Sequence, residues 1–192
     1  MKSVLISIKP EWVGKITSGK KTIEVRKSAP KEVPFKAYIY MTKKKPYMLT
    51  FAGNGKMRVH NGMVIGEFIC DKVYKIEPIF SFYDCYSGYD DSSDSSYFED
   101  YSIDDERLKK TCLTRQDLYI YGKGKKLYGW HISDLKIYDK PKELSEFIKA
   151  CHYTDGSYCL GGKCEHYDDY SGKCCCVVKR PPQSWCYVEE LK

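Results

Sequence analysis

The stretch Gly19-Lys20-Lys21-Thr22-Ile23-Glu24-Val25-Arg26, reached through Ser7-Ile8-Lys9-Pro10-Glu11-Trp12, decides how the rest of the chain is read. Pro10 suits the first position of a helix, where its missing N–H leaves nothing extra unsatisfied. Trp12, Val13 and Ile16 follow on one side at helical spacing, and Gly19 marks a left-handed stop. From Thr22 to Arg26 the period changes to that of a strand. Ile23 and Val25 then face a core, while Thr22, Glu24 and Arg26 face the other way. With Lys9, Lys20 and Lys21 beside it, that second face reads either as the floor of a polar cleft or as a solvated edge. In the second case it carries only a surface ion pair, which is common and weak.

Outward from this stretch, 192 residues suffice for a real core, as one domain with an extension or two small domains. A hydrophobic content of 42% with 18 tyrosines points to a folded, β-rich protein. No apolar run approaches the ~20 residues of a membrane span. Val4 to Ile8 is too short for a signal peptide and no small-residue cleavage site follows it, so the expected address is the cytoplasm, with no membrane partner. Net charge is +6, unevenly spread: residues 1–60 carry +11, residues 61–110 carry −7 and residues 111–192 carry +2. A basic face able to attract phosphate is expected, with an acidic segment elsewhere.

In chain order, Lys2 to Ile8 reads as a first strand. Lys36 to Thr42 alternates Tyr38 and Tyr40 against Ala37, Ile39 and Met41, as a half-buried strand does. Lys43-Lys44-Lys45-Pro46 is either a solvated loop tip or a rim that contacts phosphate. Thr50 to Asn61 predicts a hairpin. Met63 to Ile76 reads as a long strand with Ile65, Glu67 and Ile69 on one face; Glu67 is there either an ordinary edge residue or a carboxylate turned into the cleft. Residues 81–110, rich in Tyr, Asp and Ser, have no clear period and read as a loop insertion. Thr114 is an N-cap candidate for a short helix to Tyr121 that stops at Gly122. Leu127 to Tyr138 reads as a final strand, and Pro141 to Ala150 as a short helix with Leu144, Phe147 and Ile148 as its apolar stripe.

Seven of the ten cysteines lie in residues 151–192, with His152 and His166 among them. Thiolates with nearby imidazoles suit a structural zinc. Without a Cys-x-x-Cys knuckle the spacing is not diagnostic, and buried free thiols or disulfides are open alternatives, the last disfavoured in a cytoplasm. The candidate ligands are Cys151, Cys159, Cys164 and Cys175. Beyond them Pro181-Pro182 imposes an extended run, and Gln183 to Val188 predicts a strand with Trp185 and Tyr187 on one face and Ser184 and Cys186 on the other. Returning to the fold, it would wall the cleft with Trp185 or Gln183. Trp185 is otherwise a core residue.

The run Ser7-x-Lys9-Pro10 followed by Gly19-x-Lys21-x-x-Glu24-x-Arg26 resembles the ASCH domain, a small β-barrel of the PUA-like superfamily. Ala37–Thr42, Val64–Phe68 and Tyr128–Ile132 fall in the order that family would place them. The ending Arg180-Pro181-Pro182-Gln183-Ser184-Trp185-Cys186-Tyr187 resembles that of phage-type relatives, which would make the cytoplasm that of a bacterial host cell. The resemblance implies an α+β fold: a PUA-like barrel over residues 1–140 with flanking helices and the 81–110 insertion. Residues 141–192 then form a helix and a cysteine-rich extension returning to the barrel.

The resemblance also implies RNA or a modified nucleotide as partner. In a basic cleft, Lys9, Lys21 and Arg26 would hold phosphate, Glu24 would accept hydrogen bonds from a base edge, and Trp12, Trp130 or Trp185 would stack, with Gln183 on the wall. The alternative is a hydrolase. Some ASCH relatives are amidohydrolases on acetylated cytidine, using a lysine, a threonine and a glutamate, and others are linked to RNA cleavage. Lys21 matches the motif lysine, but the threonine falls at position 24, which is Glu here; Thr22 lies two residues early. In an enzyme Lys21 and Glu24 would be the catalytic pair, with Glu67 as another proton partner and His131 as the one imidazole of the barrel. The residues leave open whether there is catalysis.

Overall fold

The computed structural model describes residues 1–47, 49–51, 57–82, 96–149, 167–168, 173–174 and 177–191. The chain begins with β1 (Lys2–Ile8), α1 (Pro10–Thr17), β2 (Ile23–Arg26) and β3 (Phe35–Met41). Then come β4 (Leu49–Phe51), β5 (Met57–Val59), β6 (Val64–Cys70), β7 (Val73–Ile76), β8 (Pro78–Phe82) and β9 (Ser96–Tyr101). Helices α2 (Asp105–Thr111) and α3 (Arg115–Gly122) precede β10 (Leu127–His131) and β11 (Ser133–Lys142). Two short strands, β12 (Tyr167–Asp168) and β13 (Lys173–Cys174), pair with each other, and β14 (Trp185–Val188) ends the series.

Two sheets carry the fold: a five-stranded one in the order β11-β6-β3-β1-β14 and a three-stranded one in the order β2-β10-β7. Only β1 and β3 run parallel, joined by α1 and β2; the other ladders of these sheets are antiparallel. The inner faces meet over one core of Val4, Ile6, Ile8, Phe35, Ile39, Phe68 and Trp130, with α1 contributing Val13 and Ile16. Trp130 meets Phe35 edge-on at 5.0 Å. Between β6 and β7, at Asp71-Lys72, and between β10 and β11, at Ile132, the chain crosses from one sheet to the other. The regions expected as single strands over 63–76 and 127–138 therefore each break in two. The α+β class holds, but among the described residues the ladders do not close into a barrel.

The five-stranded sheet is covered on both faces. Tyr38 and Tyr40, expected on a half-exposed side, are 0% and 3% exposed because Phe147, Val178 and Val188 pack over them. The helix expected over 141–150 is absent for the same reason. Only Leu144–Glu146 makes a 3-10 turn, after which Phe147 is extended (φ −99°, ψ 135°). Its carbonyl accepts from Val178 N at 2.8 Å, and that of Ile148 from Glu189 N at 2.9 Å. Burying Phe147 against the Tyr38 ring, centroids 5.0 Å apart, outweighs helix propensity in so short a segment. In β6 the register slips from Ile39↔Gly66 to Tyr40↔Val64, leaving Ile65 as the extra residue of a bulge. Ile65 therefore joins Phe68 and Cys70 on the inner face rather than sharing a face with Glu67.

The second sheet is covered on its outer face by the segment expected to be a loop. Of it, residues 83–95 lie outside the described set, but β9 pairs with β8, and Tyr101 and Ile103 are buried with Val25, Ile76, Leu118 and Leu127. Helix α2 starts on Asp104, whose carboxylate accepts from Arg107 N, and stops at Cys112 in the left-handed region (φ 54°). Thr114 caps α3 as expected, in a reciprocal box with Asp117. The left-handed stop falls on Lys123 (φ 52°), one residue past the expected Gly122. Gly122 is glycine for another reason: a Cβ there would lie 1.7 Å from the Tyr101 hydroxyl oxygen. Among the described residues no helix is long and apolar enough to cross a membrane.

Candidate functional site

Strand β2 lies where the two coverings meet. Its Ile23 and Val25 alternate outward under α2 and α3, as expected of the core-facing pair. Glu24 and Arg26 turn to the inter-sheet side, opposite Trp130 and Tyr128 of β10 in register. Both faces are thereby shut away: Glu24 is 6% exposed, Arg26 8% and the preceding Lys21 2%. The charged face of β2 is therefore buried and is not a solvated edge.

The three charges are held by backbone as well as by each other. The Lys21 Nζ donates at 2.6 Å to the carbonyl of Thr111, the last residue of α2, where unpaired carbonyls and the helix dipole favour a cation. It lies 3.3 Å from Glu24 Oε2. An Arg26 terminal nitrogen is 3.0 Å from Glu24 Oε1 and donates to the Ser7 carbonyl at 2.7 Å. Glu24 thus bridges two cations, yet the set is not closed: Glu24 Oε2 and Arg26 Nε are buried without a hydrogen-bond partner. Buried polar atoms left in this state are few in folded proteins.

They sit at the bottom of a hollow of about 250 Å³ whose walls are Ser7, Ile8, Lys9, Trp12, Val25, Leu113, Asp117 and Tyr121. Lys9, Trp12, Lys21, Glu24 and Arg26 are all brought together there. The Trp12 ring already has Lys15 at 4.5 Å and Lys21 at 5.3 Å from its centroid. Burial pushes the Tyr121 phenol above its ordinary value, partly offset by Arg26. A second hollow, about 960 Å³, shares Ser7, Lys9, Arg26 and Tyr121 with the first and continues along Thr42, Lys43, Lys44, Lys179, Arg180 and Gln183.

The other expected residues go elsewhere. Trp130 is 0% exposed, a core residue with no free ring face. Trp185 packs against Trp130 and Tyr187 at 5.8 and 5.3 Å and donates from Nε1 to Ser28 Oγ at 3.1 Å; it lines neither hollow. Gln183 lines only the larger one. Glu67 accepts from the Tyr138 hydroxyl, away from Lys21, and is no proton partner for it. His131 Nδ1 lies 2.6 Å from Asp71, which holds that carboxyl below its ordinary value, and lines neither hollow. Cys151, Cys159, Cys164 and Cys175 lie outside the described residues, among which no group of three or more His, Cys, Asp or Glu is placed to hold a metal.

Sequence reasoning missed the α2–α3 wall. Asp117 and Tyr121, four apart on a capped helix, share a face, but no local pattern says against which sheet that face lies. The Thr111 carbonyl is 90 residues from Lys21 and carries no side-chain signal at all.

The fold is a two-sheet α+β domain, and the charged cluster lines the smaller of two hollows that share Ser7, Lys9, Arg26 and Tyr121. The sequence model of the ASCH domain matches residues 6–178, and the chain belongs to the ASCH domain family. Among solved structures, the crystal structure of ASCH from Zymomonas mobilis shares 20% identity at a TM-score of 0.45, covering 74% of each chain. A serine-to-alanine mutant of the ZmASCH protein from the same organism shares 17% identity at a TM-score of 0.51, covering 98% of this chain and 89% of that one. No curated protein matches the chain.

Proposed function

We propose that this ASCH domain binds a base of RNA, or a modified nucleotide, in the hollow floored by Lys21, Glu24 and Arg26. The observation that carries this reading is the pair of buried floor atoms that lack a hydrogen bond, Glu24 Oε2, which has only the Lys21 charge at 3.3 Å, and Arg26 Nε. An acceptor and a donor on one floor would complement a ligand edge that offers both a donor and an acceptor, as base edges do. Leaving such atoms unmatched is costly, and a fitting ligand removes that cost. Tyr121 and the free part of the Trp12 face would flank the ring, and Lys9 at the rim would meet phosphate.

The test is calorimetric titration of the protein with the four nucleoside monophosphates and with acetylated cytidine, repeated on Glu24→Gln and Tyr121→Ala. Saturable binding to wild type, weakened at least tenfold in Glu24→Gln with folding intact, is the expected result. Equal binding to the variant refutes the assignment. Mass spectrometry of the same mixtures, and of mixtures with RNA, separates binding from hydrolysis. Deacylated or cleaved product that disappears in Lys21→Met would make this an ASCH-type hydrolase instead.

A further inference from the structure

We infer that the protein has a second ligand site, a hydrocarbon hollow behind α1 that takes a small arylalkylamine: one aromatic ring on a short tail ending in an ammonium. The inference is independent of the reading given to the charged floor. The hollow measures about 300 Å³ and shares no lining residue with the two already described. Helix α1 stands between them: Trp12 walls the charged floor, whereas Val13 and Thr17 line this space.

Two mismatched strands make the space. At Gly66 β11 is pressed onto β6, so closely that a Cβ there would collide with the Lys136 carbonyl. Beyond Ile137↔Gly66 the pairing resumes only at Lys142↔Val64, so residues 138–141 stand against Ile65 alone. The extra length bows away from β6, while Ile65 bulges the other way into the core. Val13, Met41 and Ile65, all buried, form the floor, and Ile137 and Pro141 the wall. Ile137 is 44% exposed, a large apolar side chain held open at the mouth. Interiors leave few voids larger than a water, and water gains little from a lining this short of polar partners. The volume falls at the lower end of small-molecule pockets, ~300–1,000 Å³, which suits a single ring and a short tail. The Met41 thioether and the Tyr138 ring favour an aromatic occupant over a branched alkane.

Charge selects the tail. Asp139 is the only carboxylate on the lining, is exposed, and forms no ion pair among the described residues. Lys140 and Lys142 flank it in sequence but do not line the hollow, and Lys142 is drawn to Glu146 at 3.6 Å. The Thr17 hydroxyl donates to the Gly14 carbonyl at 3.1 Å and that of Tyr138 to Glu67; His60 completes the polar lining. An ammonium at Asp139 with its ring against Met41 therefore fits, whereas a carboxylate tail would meet like charge.

The experiment titrates the full chain with phenethylamine, phenethyl alcohol and 3-phenylpropionate, which share the ring and differ in the end group, and follows the Ile and Met methyl NMR signals. Saturable shifts of the Met41, Ile65 and Ile137 methyls are expected. Phenethylamine should bind about threefold more tightly than the alcohol and about tenfold more tightly than the carboxylate, as for one exposed ion pair gained and one like-charge contact added. Asp139→Asn should bring the three compounds within about twofold of each other. Thr17→Trp, at an exposed position, should fill the mouth and abolish the shifts; thermal melts establish that both variants fold. Methyl signals unmoved by any of the three compounds overturn the site, and an alcohol as tight as the amine overturns the amine class. Shifts that Thr17→Trp leaves intact put the compound elsewhere and also overturn it. Signals that move with protein concentration alone would give the hollow to a second copy of the chain instead.

Discussion

Replacing Glu24 with alanine puts the buried charge cluster to its most direct test. The carboxylate lies 3.3 Å from Lys21 Nζ and 3.0 Å from Arg26, with side chains 8%, 2% and 10% exposed. At an effective dielectric near 20, each contact has a gross attraction of about 5 kcal/mol. Desolvation of the ions offsets most of this, so the intact cluster adds little net stability. Removing Glu24 deletes both attractions while the two cations stay out of water, and cleavage of buried pairs in this way costs about 3–5 kcal/mol. For a chain of this size that corresponds to a fall in Tm of about 6–20 °C. Urea unfolding followed by tyrosine and tryptophan fluorescence would read the loss at pH 7, with Glu24→Gln expected to lose less because it keeps an acceptor for Arg26. The deficit should persist at high salt, since buried pairs are poorly screened. A Glu24→Ala protein within about 0.5 kcal/mol of wild type, the range of ordinary surface substitutions, would refute the claim that these charges are desolvated.

Gly122→Ala should destabilise by about 1–3 kcal/mol, because the added methyl collides with the Tyr101 ring and pushes on the helix carrying Tyr121; denaturant midpoints of the variant check it. Thr114→Ala should cost about 1 kcal/mol through the lost cap of α3. Bonds from the Thr114 N–H and hydroxyl hold the Asp117 carboxyl below its ordinary value. Its contribution is therefore fully present above the ordinary carboxyl range and lost as pH falls through the lowered value. The stability gap between wild type and Asp117→Asn should accordingly close on acidification, as a pH series of thermal melts would show. Burial pushes the Cys70 thiol up to about 12, so site-resolved alkylation mapped by mass spectrometry at pH 8 should leave Cys70 unmodified until the protein unfolds.

The helix α1, the strands β1, β2 and β3, the capped α3 and the returning β14 were legible because each is written in local periodicity and capping chemistry. So was the convergence of Lys9, Trp12, Lys21, Glu24 and Arg26, which are adjacent in sequence on a helix and the strand after it. What failed was everything set by a partner far along the chain. Phe147 gives up a helical turn to cover Tyr38; Ile65 changes face through a bulge that period-two reading cannot see. Trp130 and Trp185 read as stacking platforms, but Trp130 is buried between the two sheets and Trp185 is half-buried against it. Glu24 and Arg26 themselves look like surface residues until α2, drawn from an acidic stretch with no clear period, and the separately capped α3 roof the other side of their strand.

The grip of Lys21 on the Thr111 carbonyl also divides the inserted segment into two parts with different freedom. Chain length between Phe82 and Ser96 can drift at small cost, since the β8–β9 ladder fastens both ends and doubling a loop adds only about 0.6 kcal/mol. A single residue gained or lost within α2 would instead carry its terminal carbonyl ~1.5 Å along the axis and off the ammonium beneath it. An insertion between Phe82 and Ser96 should therefore leave the Lys21–Thr111 contact in place, whereas one within α2 should break it.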